Sequence, residues 1–282
     1  MEIESSYIEI IKKRQSKRKF INKDLDADQI KKINTIIQNY TIGPFGNKVE
    51  FKLIEKKIAK ENHKVKLGTY GFISGARYFI VGQVKNRANA NEDYGFLLEN
   101  IILQLTAMDL GTCWLGGTFS RADISEILST DSEMIIPAIT PVGIPTDSYS
   151  IKESIIRWGA KSDSRKDWGE IFFTDSFNKS FLKKDAGIYK EALEMLRLAP
   201  SASNKQPWRI LKSEDAFHFY LKRTQGYNKM GKGTDLQKLD IGIAMSHFEL
   251  ACKELKLKGE WTNMNPEITS PEIDEYCVTW KI

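Results

Sequence analysis

Residues 14–18 read Arg-Gln-Ser-Lys-Arg. In an extended or turn conformation, positions i, i+2 and i+4 face one side, so Arg14, Ser16 and Arg18 can converge two guanidinium forks and a hydroxyl on one anion. A phosphate dianion is the natural guest. The surrounding KKRQSKRK stretch holds six Lys or Arg residues. It reads equally as a solvated basic face or as a nucleic-acid-binding tail. A second segment, 199–208, reads APSASNKQPW. Pro200 and Pro207 fix the backbone at two places, while Ser201, Ala202 and Ser203 are small enough for a flat ligand to approach the main chain. Asn204 and Gln206 add donors and acceptors. The same residues also make a plain helix stop and turn. A third segment, GTCWLGGT at 111–118, follows an apolar run. Its Gly116-Gly117 pair brings backbone N–H groups within reach of a ring system, or serves simply as a cap and tight turn.

Other chemistries find less support. Cys113 reads as a packed small hydrophobe, because His63, His218 and His247 sit in no motif that would pair with it. Three cysteines without a CxxC pair argue against a disulfide scaffold or a zinc site. Residues 226–232, GYNKMGK, match the first seven positions of GxxxxGK[ST], but Gly233 stands where the hydroxyl is needed and Thr234 comes one residue late. A flexible surface loop accounts for that stretch. No G-x-G-x-x-G lies between a strand and a helix, which disfavours a Rossmann site.

The elements that would position these segments emerge from the composition and patterning of 282 residues. With 41% hydrophobic residues the chain is no disordered polymer, and 19 Gly and 8 Pro exclude a collagen-like one. Lys+Arg 42 against Asp+Glu 37 leaves a net charge of +5, too dilute for a nucleic-acid footprint unless the basic residues cluster. The polar N-terminus and the lack of any apolar run of about 18 residues predict a soluble, cytoplasmic protein without a membrane partner.

The two halves of the chain echo each other. Asn47-Lys48 falls on Asn204-Lys205 at an offset of 157, aligning GNKVEFKLIE with SNKQPWRILK. At an offset of 147, Gly95 falls on Gly242 and Trp114 on Trp261. A duplicated half is the simplest explanation. Periodicity predicts helices near Tyr7–Ile11, at 29–39 and 95–110, from Ser120, and at 185–198 and 240–257. It predicts strands at 49–53, 77–82, 134–143, 208–212, 216–221 and 275–282, with the charged stretch 147–167 joining the halves. Helices and strands mix without a strict βαβ rhythm, which points to an α+β fold with an antiparallel or mixed sheet.

Together, RQSKR, APSASNKQPW and LGTCWLGG resemble the nitroreductase family of FMN flavoproteins, in the subgroup where two half-length folds are fused in one chain. The resemblance implies a three-layer α/β/α fold of two tandem halves, 1–166 and 167–282, interlocked as an intramolecular pseudo-dimer with mostly antiparallel sheets. It implies that Arg14, Ser16 and Arg18 hold the FMN phosphate. Pro200, Ser201, Ala202 and Asn204 would line the flavin from the other half, with Gln206 close by, and Gly116 and Gly117 would face the ring edge. Arg165 matches a late basic residue near the phosphate, with Lys161 and Lys166 as weaker matches, and Thr69 and Tyr70 match the ribityl region by position. The second half begins FFTDSFNKS, without the basic motif, and the first-half loop lacks Ser-Ala-Ser. One composite site per chain is therefore expected. The implied activity is NAD(P)H-dependent, two-step reduction of a nitroaromatic or quinone-like acceptor, with no essential acid–base side chain and no metal. Flavin binding without turnover, and nucleic-acid binding through KKRQSKRK, stand as alternatives.

Overall fold

The structure, a computed structural model, describes residues 6–56, 73–146, 164–226 and 234–282. Helix α1 (Tyr7–Lys13) starts at Ser6, whose hydroxyl accepts the Glu9 N–H, and α2 (Ala27–Asn39) starts in a capping box between Asp26 and Gln29. Strands β1 (Val49–Glu55) and β2 (Tyr78–Lys85) pair antiparallel, and the buried helix α3 (Ala90–Ala107) follows. Short β3 (Gly111–Thr112), α4 (Arg121–Leu128), β4 (Met134–Ile135) and β5 (Ile139–Gly143) complete a sheet of order β1-β2-β5-β3, with β4 beside β2. Then come α5 (Trp168–Ile171), β6 (Phe172–Thr174), β7 (Ser176–Ser180), α6 (Lys190–Leu198), β8 (Trp208–Ser213), β9 (Ala216–Leu221), α7 (Leu236–Glu254), β10 (Glu260–Thr262) and β11 (Glu275–Lys281). Their sheet runs β10-β11-β9-β8-β6-β7. Every pairing in the two sheets is antiparallel except β6 with β8. The α+β class and layered helix–sheet architecture match the expectation.

Several boundaries differ from the sequence reading. The expected strand 134–143 is two strands, because Pro137 has no N–H to donate to a ladder. The helix expected at 185–198 begins at Lys190, after a 3-10 turn, since Gly187 lies at φ +53, outside the helical region. Helix α7 starts four residues before the expected 240, because Asp235 accepts the N–H groups of Gln237 and Lys238 and so sets the start. Strands β6, β7 and β10 carry too few alternating apolar residues to be read from periodicity. Residues 57–72, 147–163 and 227–233 lie outside the described residues, and with them Thr69, Tyr70, Lys161, most of the joining stretch and most of GYNKMGK.

Alternate residues of β2 serve opposite faces of its sheet. Tyr78, Ile80 and Val84 join the main core, whereas Phe79 and Val81 pack with Phe20, Cys113, Phe119 and Ile139 in a second cluster. The main core draws on both parts of the chain, from Leu98 and Ile101 to Leu193, Met245 and Phe248. Its centre is the crossing of α3 and α7. A Cβ on Gly95 would collide with the Leu239 carbonyl, and one on Gly242 with the Glu92 carbonyl. Backbone thus meets backbone, which only glycine permits at such a crossing. The contact is reciprocal, each glycine facing the residue three positions before the other. Asn100 Nδ2 donates to Ser246 Oγ at 3.0 Å across the same crossing.

Candidate functional site

Helix α1 ends at Arg14, whose φ of −57° and ψ of 124° turn the chain from helix to extended. Its dock is second-half structure: Ser6 Oγ and the Ile8 N–H both donate to Glu254 of α7, and Lys12 pairs with Glu191 of α6 at 3.0 Å. Past Arg14, Ser16 bridges Thr112 in parallel, and the Lys17 N–H donates to the Thr112 carbonyl at 2.7 Å. The RQSKR segment therefore lies beside the strand that opens the glycine turn. Lys19 and Phe20 continue this extended run, bridging Ser74 and Pro145.

The glycine turn is held from three directions. Trp114 Nε1 donates to Glu99 Oε2 of α3 at 2.6 Å, Leu115 exchanges backbone hydrogen bonds with Ile139, and Arg121 Nη2 donates to the Gly116 carbonyl at 2.6 Å. Arg121 also donates to the Ile136 and Pro137 carbonyls and lies over the Phe119 ring, so its guanidinium acts as a clamp. Burial lowers its pKa. A Cβ on Gly116 would stand 2.6 Å from Leu236 Cδ2, which brings the turn against the N-terminus of α7.

One turn further along α7, fully buried Asp240 accepts the Ala202 N–H at 2.9 Å. That bond ties the 199–208 loop to the same helix end. Within the loop, Ser203, Asn204 and Gln206 all have positive φ, at 47°, 54° and 49°. Such conformations persist only where the surroundings hold them. Here Ser201 Oγ accepts the Gln206 N–H at 2.8 Å, Gln206 Oε1 accepts the Lys166 N–H at 2.8 Å, and Gln206 Nε2 donates to Asn204. Arg165 donates to the Leu198 carbonyl at 3.0 Å and to Asn204 Oδ1 at 3.4 Å. Arg165 thus closes the end of α6 while steadying the loop, and Pro200 links the two.

Contacts therefore run without a break from Arg14, Ser16 and Arg18, through Thr112 and the Gly116-Gly117 turn, to Leu236 and Asp240 of α7 and the Ser201–Gln206 loop. Arg14 itself is nearly buried, with its side chain 7% exposed, and its Nε lies 3.7 Å from Glu99 Oε1. That is an ion-pair distance but no hydrogen bond, and Arg14 Nε has no hydrogen-bond partner. Burial pushes the Asp240 carboxyl well above its ordinary range, and its Oδ2 also lacks a partner. Sequence reasoning missed Glu99, Asp240, His247 and Arg121. For Glu99 and Asp240 the available signal was a carboxylate inside an otherwise apolar helical run. Among the described residues, no group of His, Cys, Asp and Glu could hold a metal, and no helix is long and apolar enough to cross a membrane.

Residues 6–252 match the family model described as "Putative TM nitroreductase". Among solved structures, a protein from Thermotoga maritima described as a "putative nitroreductase" superposes with a TM-score of 0.63 at 19% identity, covering 100% of this chain and 95% of that one. A nitroreductase family protein from Clostridium novyi has a TM-score of 0.43 and 22% identity over 63% of this chain and 97% of its own. An FMN-dependent nitroreductase from Clostridium difficile has a TM-score of 0.40 and 19% identity over 51% of this chain and 91% of its own. No curated protein matches the chain in sequence.

Proposed function

The chain belongs to the TM nitroreductase family, and we propose that it is an FMN-dependent oxidoreductase that passes electrons from NADH or NADPH to a flat acceptor such as a nitroaromatic or a quinone. The observation that carries this reading is the adjacency of the basic motif and the glycine turn, through Lys17 N–H and Thr112 O at 2.7 Å, on the same helix end that holds the Ser201–Gln206 loop.

The residues fit the cofactor. Arg14 is a nearly buried cation whose Nε makes no hydrogen bond, so it has donor capacity left for an anion. With Ser16 and Arg18 it would hold the phosphate monoester. Gly116 and Gly117 would offer bare main chain to the ring edge, and Pro200, Ser201, Ala202 and Asn204 would flank the ring from the other half of the chain, with Gln206 bracing them. FMN, when bound, supplies hydride and electron transfer itself. The chain's part is to anchor the phosphate, present N–H groups to the ring, and keep water from its buried face. In this account no side chain has to take up or release a proton for turnover. Arg165 serves the loop, fixing Asn204, and would add its positive charge near the phosphate.

We further propose that residues 1–166 and 167–282 act as the two subunits of a pseudo-dimer, monomeric and cytoplasmic, with one site per chain and no nucleic-acid or membrane partner. The reciprocal Gly95 and Gly242 contacts support this, because a two-fold interface has that form. Reconstitution with FMN and anaerobic addition of NADH or NADPH tests the function. Retained FMN that is bleached by either nucleotide is the expected result. FMN retained but never bleached would favour flavin binding without turnover, and salt-sensitive DNA binding without flavin would favour the nucleic-acid reading.

A further inference from the structure

Glu99 and His247 are both completely buried, near the middles of α3 and α7. His247 Nε2 lies 2.8 Å from Glu99 Oε1, and His247 Nδ1 lies 3.1 Å from the Met195 carbonyl of α6. A carbonyl only accepts, so Nδ1 donates to Met195, and one shared proton joins Nε2 to Oε1. The other carboxylate oxygen is taken by Trp114 Nε1 at 2.6 Å. Glu99 thus gathers three groups: the indole of the glycine turn, the imidazole of the second half, and Arg14, at 3.7 Å from the oxygen that His247 already engages. A buried carboxylate draws on whatever donors it can reach, because leaving it short is costly. His247 satisfies Oε1, and Arg14 stays just beyond hydrogen-bonding distance.

We propose that Glu99 and His247 form a positioning pair through which the second half of the chain sets the phosphate anchor of the first. With the His247–Glu99 hydrogen bond in place, Oε1 is satisfied and Arg14 keeps its donors for an incoming phosphate. Without that bond, Oε1 is left short, Glu99 draws Arg14 inward and the phosphate loses a partner. The inference rests on the flavin reading above, since Arg14 must meet a phosphate for the pair to matter.

The test compares two variants of His247 that differ in which neighbour they serve. His247→Gln keeps a donor near the Nε2 position, toward Glu99. His247→Asn keeps one near Nδ1, toward Met195, and loses the bond to Glu99. Dissociation constants for FMN and for riboflavin, which lacks the phosphate, are measured by flavin fluorescence quenching on the full chain, with thermal melting as a check on folding. His247→Asn should weaken FMN by about tenfold and riboflavin by less than about twofold, while His247→Gln stays within about threefold of the unaltered protein for both. In an Arg14→Ala background, His247→Asn should have no further effect on FMN. Equal weakening of both flavins by His247→Asn, or no effect on either, would overturn the inference while leaving the flavin reading intact. Unaltered protein that binds neither flavin would overturn the flavin reading and this inference with it.

Discussion

Asp93 and Asp240 stand 147 residues apart, the same separation as Gly95 and Gly242, and each accepts a backbone N–H at 2.9 Å, from Phe45 and from Ala202. Equivalent helices therefore hold equivalent loops by equivalent carboxylates. The halves then diverge. Asp93 also accepts the Asn47 N–H at 2.9 Å and Asn47 Nδ2 at 2.8 Å, whereas the matching Asn204 turns away to the Ser164 carbonyl and Arg165. The first-half loop is closed on its own carboxylate, while the second-half loop faces the other way with its polar groups.

The divergence predicts unequal costs for equal substitutions. Burial raises the pKa of both carboxyls, but Asp93→Asn disturbs three N–H bonds and should lower unfolding stability by about 2–3 kcal/mol, whereas Asp240→Asn disturbs one and should cost about 1 kcal/mol or less. Urea unfolding of the two variants measures this. Equal losses would contradict the asymmetry.

The helix crossing predicts a larger effect. Alanine at Gly95 or Gly242 would place a methyl group on the opposing backbone carbonyl, which cannot move as a side-chain tip can. Either substitution should cost about 3 kcal/mol or more, well above the usual cost of an alanine change. Melting curves of both variants decide it, and a stabilised Gly242→Ala protein would refute the close crossing.

Glu92 predicts a pH window. Burial raises its pKa from 4.5 to about 7, despite Lys238 Nζ at 3.5 Å. At low pH the carboxyl is neutral in folded and unfolded chains alike. Between about pH 4.5 and pH 7 the unfolded chain releases the proton first, so stability falls through that window and levels off above it. Glu92→Gln removes this loss. The variant should match the unaltered protein near pH 4 and exceed it by up to about 3 kcal/mol at pH 8. Parallel stability curves for the two proteins would contradict the assignment.

Much of this arrangement was legible in the sequence. The apolar run around Leu97 to Leu105 could only be a buried helix, and RQSKR, APSASNKQPW and the Gly116-Gly117 turn stood out by residue type and spacing. What stayed hidden was pairing at long range. Glu99 and His247 are 148 residues apart, and nothing local in either helix announces the other. The positive φ of Asn204 suits its residue type, but those of Ser203 and Gln206 are held by contacts of Ser201 and Lys166 that no local preference announces. Similarly, β6 runs parallel to β8 through a register that no periodicity in Phe172–Thr174 could reveal.

The phosphate anchor predicts a selective loss of the phosphorylated flavin. Arg14→Ala and Arg18→Ala should each weaken FMN by about tenfold or more while leaving riboflavin within about twofold, because a charge-assisted contact to phosphate is lost and nothing at the ring changes.

Flavin content and reducibility of the purified, FMN-reconstituted chain test the central claim. One FMN per chain is expected, bleached anaerobically by NADH or NADPH and recoloured by a nitroaromatic or quinone acceptor. A chain that retains no FMN after reconstitution would contradict it.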